Sequence, residues 1–126
     1  MPNENGRLNI EQKRSKFAFD HKANSKSTNY DAMVKKVPAY IQTNGLVYTL
    51  AFLEKKDEGV FDTIWRWHCQ TTENTMQLPT LKGKSKKVFL ETLLTLSDED
   101  IRLLTLETLA LFTWLRRFVD DEKATD

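Results

Sequence analysis

The stretch from Leu96 to Val119, LSDEDIRLLTLETLALFTWLRRFV, constrains this chain more than any other, because it specifies one long helix and how that helix is buried. Ser97 is placed to cap the helix start, and Asp98, Glu99 and Asp100 put negative charge where the first amides are unpaired and the macrodipole is positive. No Gly or Pro interrupts the stretch. At about 100° per residue, Ile101, Leu103, Leu104, Leu106, Leu109, Leu111, Phe112, Trp114, Leu115, Phe118 and Val119 cover nearly the whole circumference, which predicts a helix at the centre of a bundle. One strip breaks the pattern. Arg102, Thr105, Thr113, Arg116 and Arg117 fall within an arc of about 120° and form a polar seam. Glu107 instead lies on the apolar side, where a carboxylate needs a partner, and Arg14, Arg66 or a backbone donor could serve.

The remaining segments read as shorter helices. Residues 1–8, with Asn, Pro and Gly and little to pack, predict a disordered N-terminus, and residues 9–126 a single helical domain. Asn9 is a candidate cap for a helix through about Lys22 with Ile10, Phe17 and Ala18 inward, and His21 to Ser27 reads as a connector. Thr28 or Asn29 opens a second helix toward Asn44, in which Met33, Val34, Val37, Tyr40 and Ile41 recur at helical spacing; Pro38 predicts a kink there, or a new helix starting just before it. Gly45 ends that helix or opens the next, from Leu46 to about Lys56. Asp57-Glu58-Gly59 reads as a break.

Val60 to Cys69 resumes a helical period through Phe61, Ile64, Trp65 and His68. A strand over Phe61–Trp67 is the competing reading, disfavoured because no second segment could pair with it. Gln70 to Lys84 is a long polar connection of the kind that is usually functional or disordered. It leads into Lys82-Gly83-Lys84-Ser85-Lys86-Lys87 and a helix from about Ser85 to Leu94, with Val88, Leu90, Leu93 and Leu94 as its apolar positions. The expected fold is all-α, a single compact bundle of about six helices around a buried C-terminal helix.

Composition narrows the function class. The single Cys69 cannot close an internal disulfide, and no stretch reads as a signal peptide or membrane span, so the expectation is a soluble cytoplasmic protein without membrane partners. The net charge of +1 hides a segregation: residues 1–90 carry 15 Lys and Arg against 9 Asp and Glu, whereas residues 91–126 carry 4 against 9. A basic surface is therefore available for sequence-independent attraction to phosphates, although most charge on helical proteins merely solvates the outer face. Gly83-Lys84-Ser85 has the letters of a phosphate loop without its upstream glycine or strand. His68-Cys69 is a poor metal pair because helix neighbours diverge, and Cys69 beside Trp67 reads as a small core residue. First-turn acids explain Asp98, Glu99 and Asp100 without a cation. No catalytic constellation, metal site or cofactor site is expected.

Three blocks occur in family order from about Glu11 to Val119. They are Gln12-Lys13-Arg14 with Phe17-Ala18; Val37-Pro38-Ala39-Tyr40-Ile41, Asn44-Gly45-Leu46 and Thr49 to Lys56; and Thr105 to Ala110 followed by Trp114-Leu115-Arg116-Arg117-Phe118. Together they resemble the small helical subunit of the type III-B CRISPR RNA-silencing (Cmr) complex. The resemblance implies a non-catalytic structural subunit. Several copies would stack beside the backbone and large subunits and help hold target RNA along the CRISPR guide RNA, while neighbouring subunits cleave. Such a protein must hold phosphates rather than read bases.

The RNA-contact candidates are Lys82, Lys84, Lys86 and Lys87 at the edge of a flexible loop, with Arg14, Lys56, Arg116 and Arg117 as further ones. The two arginines would equally favour a helix C-terminal dipole. Rival readings are the small subunit of the type III-A (Csm) complex, against which the Trp-Leu-Arg-Arg-Phe ending argues, and an adaptor-type helical module using Trp65, Trp67 and Trp114 with no RNA role.

Overall fold

Asn9 opens the first helix through a reciprocal cap: its side chain accepts from the Gln12 amide at 2.8 Å while the Gln12 side chain accepts from the Asn9 amide at 2.9 Å. In the computed structural model, which describes residues 8–24 and 28–124, this begins α1 (Ile10–Asn24). The chain continues through α2 (Thr28–Asn44), α3 (Leu46–Lys56), α4 (Glu58–Trp65), α5 (Lys86–Leu93) and α6 (Asp98–Ala124). No strand occurs among the described residues. The expected disordered N-terminus, residues 1–8, lies outside the described residues except for Leu8, as does part of the expected connector. His21 to Asn24 belong to α1 rather than to that connector.

Helix α2 runs through Pro38 as one element, so no second helix starts there. Val34, Val37 and Ile41 are buried around the proline. A buried aliphatic side chain contributes roughly 1.5–3 kcal/mol, and three together outweigh the roughly 3 kcal/mol that an interior proline costs. At the end of α2, Gly45 serves both expected roles: its amide donates to Ile41 (2.8 Å), closing α2, and its carbonyl accepts from Thr49 (3.2 Å), opening α3. The break after α3 is Asp57 alone. Its carboxylate accepts from the Val60 amide at 3.1 Å, and Gly59 lies inside α4.

Helix α4 does not end as an α-helix. The Thr71 amide donates to the Arg66 carbonyl five residues back, at 2.9 Å, and Arg66–Gln70 forms a π-turn. This widened turn buries three successive side chains, Trp67, His68 and Cys69, which an ordinary helix would splay apart. The strand alternative for this segment is thereby excluded.

Helix α6 is central, packing chiefly against α1 and α2 with α3 beyond. Ser97 caps it by accepting from the Asp100 amide at 3.1 Å. Leu104, Leu111, Phe112, Leu115 and Val119 are buried, and Ile101, Leu109, Trp114 and Phe118 pack partly against them. Burial is not circumferential, however. Leu103 and Leu106 are 47% and 56% exposed beside the polar seam, because no described helix covers that side. On α5 the inward residues are Phe89 and Leu93, whereas Val88 and Leu94 face out. Ser85 caps the helix one residue before it starts, its hydroxyl accepting from the Val88 amide.

Gly45 has φ 87° and ψ 163°, a region open essentially to glycine alone, although an added Cβ there would meet nothing within 4 Å. Gly45→Ala should lower the free energy of unfolding by about 1–3 kcal/mol in denaturant titration. An unchanged midpoint would mean that the reversal between α2 and α3 does not need this conformation.

Candidate nucleic-acid interface

Beneath the surface, one ion pair positions the elements that carry the basic residues. Glu107 on α6 is nearly fully buried and accepts from Arg14 on α1 through both Nε (2.8 Å) and Nη2 (2.7 Å). Its Oε2 also accepts from the indole of Trp67 at 2.9 Å. The bidentate fork satisfies a buried carboxylate as a single amine could not. The hydrogen bond to Glu107 raises the Arg14 pKa, outweighing the opposing effect of burial. Of the expected partners, Arg14 is the one found. Arg66 bonds Asp62 instead, and Trp67 was not among the expected donors, because an indole N–H forty residues away leaves no spacing signal.

A second buried contact lies one residue along each chain segment. The Thr108 hydroxyl donates to the Leu104 carbonyl (2.7 Å), so its oxygen accepts from Nε2 of His68 at 2.8 Å. His68 is therefore the Nε2-protonated tautomer, with Nδ1 buried and unpartnered. Burial pushes its pKa down to about 4, against a smaller opposing pull from Glu107. Burial also raises the Cys69 thiol to about 12, which keeps it out of thiolate chemistry.

The long connection after the π-turn is clamped rather than loose. Asn74 donates to the Trp67 carbonyl (3.1 Å), Gln77 to that of His68 (2.8 Å), and the Gly83 amide to that of Cys69 (2.7 Å). Leu81 is fully buried, and the Lys84 carbonyl accepts from both the Trp65 indole (2.8 Å) and Gln70 (3.0 Å). The widened turn leaves its last carbonyls without helical donors, and this segment supplies them. Gly83-Lys84-Ser85 thus closes a loop and caps α5, and the Gly83 and Lys84 amides are engaged by the Cys69 and Leu81 carbonyls instead of forming a phosphate cradle.

From this backbone Lys82, Lys84, Lys86 and Lys87 project into solvent. Lys86 sits 5.3 Å from the Trp65 ring centre and 3.1 Å from Asp62, whose other oxygen accepts from Arg66 at 2.7 Å; Arg66 also lies over Trp65 at 5.5 Å. Burial alone would raise the Asp62 carboxyl, but the hydrogen bonds from Arg66 and Lys86 hold it below its usual range. Arg66 is thus a fifth cation at this edge, inconspicuous in sequence because it stands apart from the lysine run. Lys56 is exposed at the end of α3, and Arg116 and Arg117 are exposed on the outer seam of α6, away from the lysine segment in sequence. Arg14 is the exception among the candidates: its side chain is 13% exposed and engaged by Glu107.

The tryptophans offer little to an adaptor. Trp67 is fully buried, Trp65 bonds Lys84, and Trp114 donates to Glu11 at 2.7 Å. Among the described residues no three His, Cys, Asp or Glu side chains come together as a metal site, and no helix is long and apolar enough to cross a membrane.

The buried contacts have two measurable consequences. Glu107→Ala leaves Arg14 and Trp67 without their acceptor and should cost about 3–5 kcal/mol, against nearly nothing for the exposed control Glu73→Ala. The double variant Arg14→Met/Glu107→Leu should recover much of the loss; equal midpoints for Glu107→Ala and its control would disprove the anchor. For His68, the unfolded chain takes up a proton near the ordinary value of 6.5, but the folded chain resists until about 4. Stability should therefore fall as pH drops through that window, by up to roughly 3 kcal/mol from this group. His68→Gln should flatten the decline in a series of denaturation curves.

The family model for the CRISPR-associated protein Cas_Cmr5 matches residues 10–122. No curated protein gives a match. The matched span runs from the first residue of α1 into the last turns of α6 and includes the Glu107 anchor, the π-turn and every basic candidate. It covers nearly the whole helical bundle, and the chain therefore belongs to the Cas_Cmr5 family, as a small helical subunit of the type III-B Cmr assembly.

Proposed function

We propose that this chain is a non-catalytic, RNA-holding structural subunit of a cytoplasmic type III-B ribonucleoprotein, stacking in several copies along the backbone subunits and steadying target RNA against the guide. The observation that carries this reading is the clamped segment bearing Lys82, Lys84, Lys86 and Lys87. Its backbone is fixed by hydrogen bonds to the π-turn, while its ammonium groups stay exposed. Such a surface attracts phosphates without regard to base sequence, as a subunit serving any guide must. Arg66 adds positive charge at the same edge and Lys56, Arg116 and Arg117 add it elsewhere on the surface, whereas Arg14 serves the anchor. Contact with neighbouring subunits is supported by Leu94, Leu103 and Leu106, apolar side chains that the described residues leave largely exposed.

The quadruple variant Lys82→Ala, Lys84→Ala, Lys86→Ala and Lys87→Ala should fold normally and enter the assembled complex but hold target RNA less tightly. Its salt dependence should be shallower by about 0.7–0.9 in logarithmic slope for each phosphate contact removed. An affinity and slope equal to the parent's would remove this segment from the RNA face.

A further inference from the structure

Across α3 from the lysine segment lies a second feature of different chemistry. Tyr40 and Asn44 on α2 and Tyr48 and Phe52 on α3 line an open groove of about 200 Å³. Gly45 makes this possible, since its positive φ lets two helices reverse with almost no connection and brings Asn44 beside the first turn of α3. Tyr40 and Phe52 meet edge to face, centroids 5.5 Å apart at 81°, and form a fixed aromatic corner. Tyr48 stands 62% exposed at its mouth. Asn44 and the hydroxyls of Tyr40 and Tyr48 have no partner among the described residues, so aromatic faces and free polar edges converge on one place. Sites enclosing a whole small ligand are larger, roughly 300–1,000 Å³, and a shallow groove of this size suits a single planar ring laid against it.

Charge identifies the occupant. Lys36 lies one helical turn before Tyr40 and Lys56 one turn after Phe52; both are exposed, as is Lys55. A second groove, lined by Glu54, Glu58 and Glu91 as well as by Lys86 and Lys87, also borders α3, so the lysine segment and the aromatic corner flank the same short helix although carboxylates share that groove with the two lysines. An apolar protein partner would not explain cations at both ends. A strand with phosphates outside and unpaired rings inside explains both.

We propose that this groove stacks one unpaired base of a single-stranded RNA whose backbone continues over α3 to the lysine segment. Tyr48 provides the stacking face, the Tyr40–Phe52 corner supports the ring, and Asn44 is free to bond a base edge. Base identity matters little, because every base presents a π-face. The inference rests on the RNA-holding role proposed above and adds to it a contact that salt does not weaken.

The test titrates the full chain at low and high salt with a single-stranded oligonucleotide containing 2-aminopurine, whose emission falls on stacking, and with an abasic oligonucleotide of equal length. Tyr48→Ala should weaken binding of the base-containing strand about tenfold, with its salt slope unchanged, while Tyr48→Phe retains parental affinity. The abasic strand should bind parent and Tyr48→Ala alike. If Tyr48→Ala binds as the parent does while the quadruple lysine variant is weakened, the groove is no base site and the RNA-holding role stands. If neither variant alters binding, or the parent binds neither strand, both ideas fall. Loss of Tyr48→Ala from the assembled complex at unchanged RNA affinity would overturn the proposal in favour of a subunit contact.

Discussion

The structure depends on one carboxylate held out of water. Glu107 lies in the apolar centre of the bundle, and an ionised group there is tolerable only when its oxygens are fully bonded. The donors come from Arg14, 93 residues earlier in the chain, and Trp67, 40 residues earlier. Hydrophobic burial alone would let α6 rotate or slide between near-equivalent leucine packings, since Leu104, Leu111, Phe112 and Leu115 interchange at modest cost. A fork with two bonds of 2.7 and 2.8 Å does not permit that. The ion pair thus specifies the relative placement of α1, the end of α4 and α6, whatever its net contribution to stability.

That placement determines the rest of the basic face. Trp67 reaches Glu107 and His68 reaches Thr108, two adjacent pairs that both point from the π-turn after α4 into α6. The π-turn carries Trp67 and His68 together toward α6. The turn in turn exposes backbone carbonyls at its end, and the segment through Gly83 folds back to satisfy them. The lysines therefore start from a fixed backbone. Binding an anion there orders only side chains and avoids ordering a loop as well, which removes a large part of the usual entropic cost.

How much of this was legible in the sequence varied with the range of the interaction. Elements governed by local rules were readable: the Ser97 and Asn9 caps, the reversal at Gly45, the bounds of α3 and the central place of α6. The errors fell where tertiary contacts decide. Apolar residues at Leu94, Leu103 and Leu106 look inward by composition, but orientation depends on which neighbours exist, and among the described residues none buries them. Continuity through Pro38 reflects burial on both sides of it. Glu107 announced that it needed a partner and Arg14 was foreseeable as one, whereas Trp67 and the π-turn were not, because neither has a spacing signature. Among the basic residues, the lysine run was visible as a run; that Arg66 joins it through Asp62 and Trp65, and that Arg14 is engaged by Glu107, required the fold.

The division of charge now has a physical explanation. The acid-rich C-terminal portion supplies the first-turn acids that match the α6 dipole and the one carboxylate that locks the core, so much of its charge serves the fold. The lysine segment, Lys55 and Lys56 have no comparable structural task; of these cations only Lys86 makes an ion pair among the described residues. Unpaired ammonium groups on rigid supports create a positive field whose counterions are free to be displaced, the condition under which phosphate binding gains entropy. A protein that committed these cations to intramolecular pairs would be no less folded, since exposed pairs add little stability. It would, however, offer a polyanion much less, and on the proposed function that difference is what leaves these lysines, Lys86 apart, without ion pairs among the described residues.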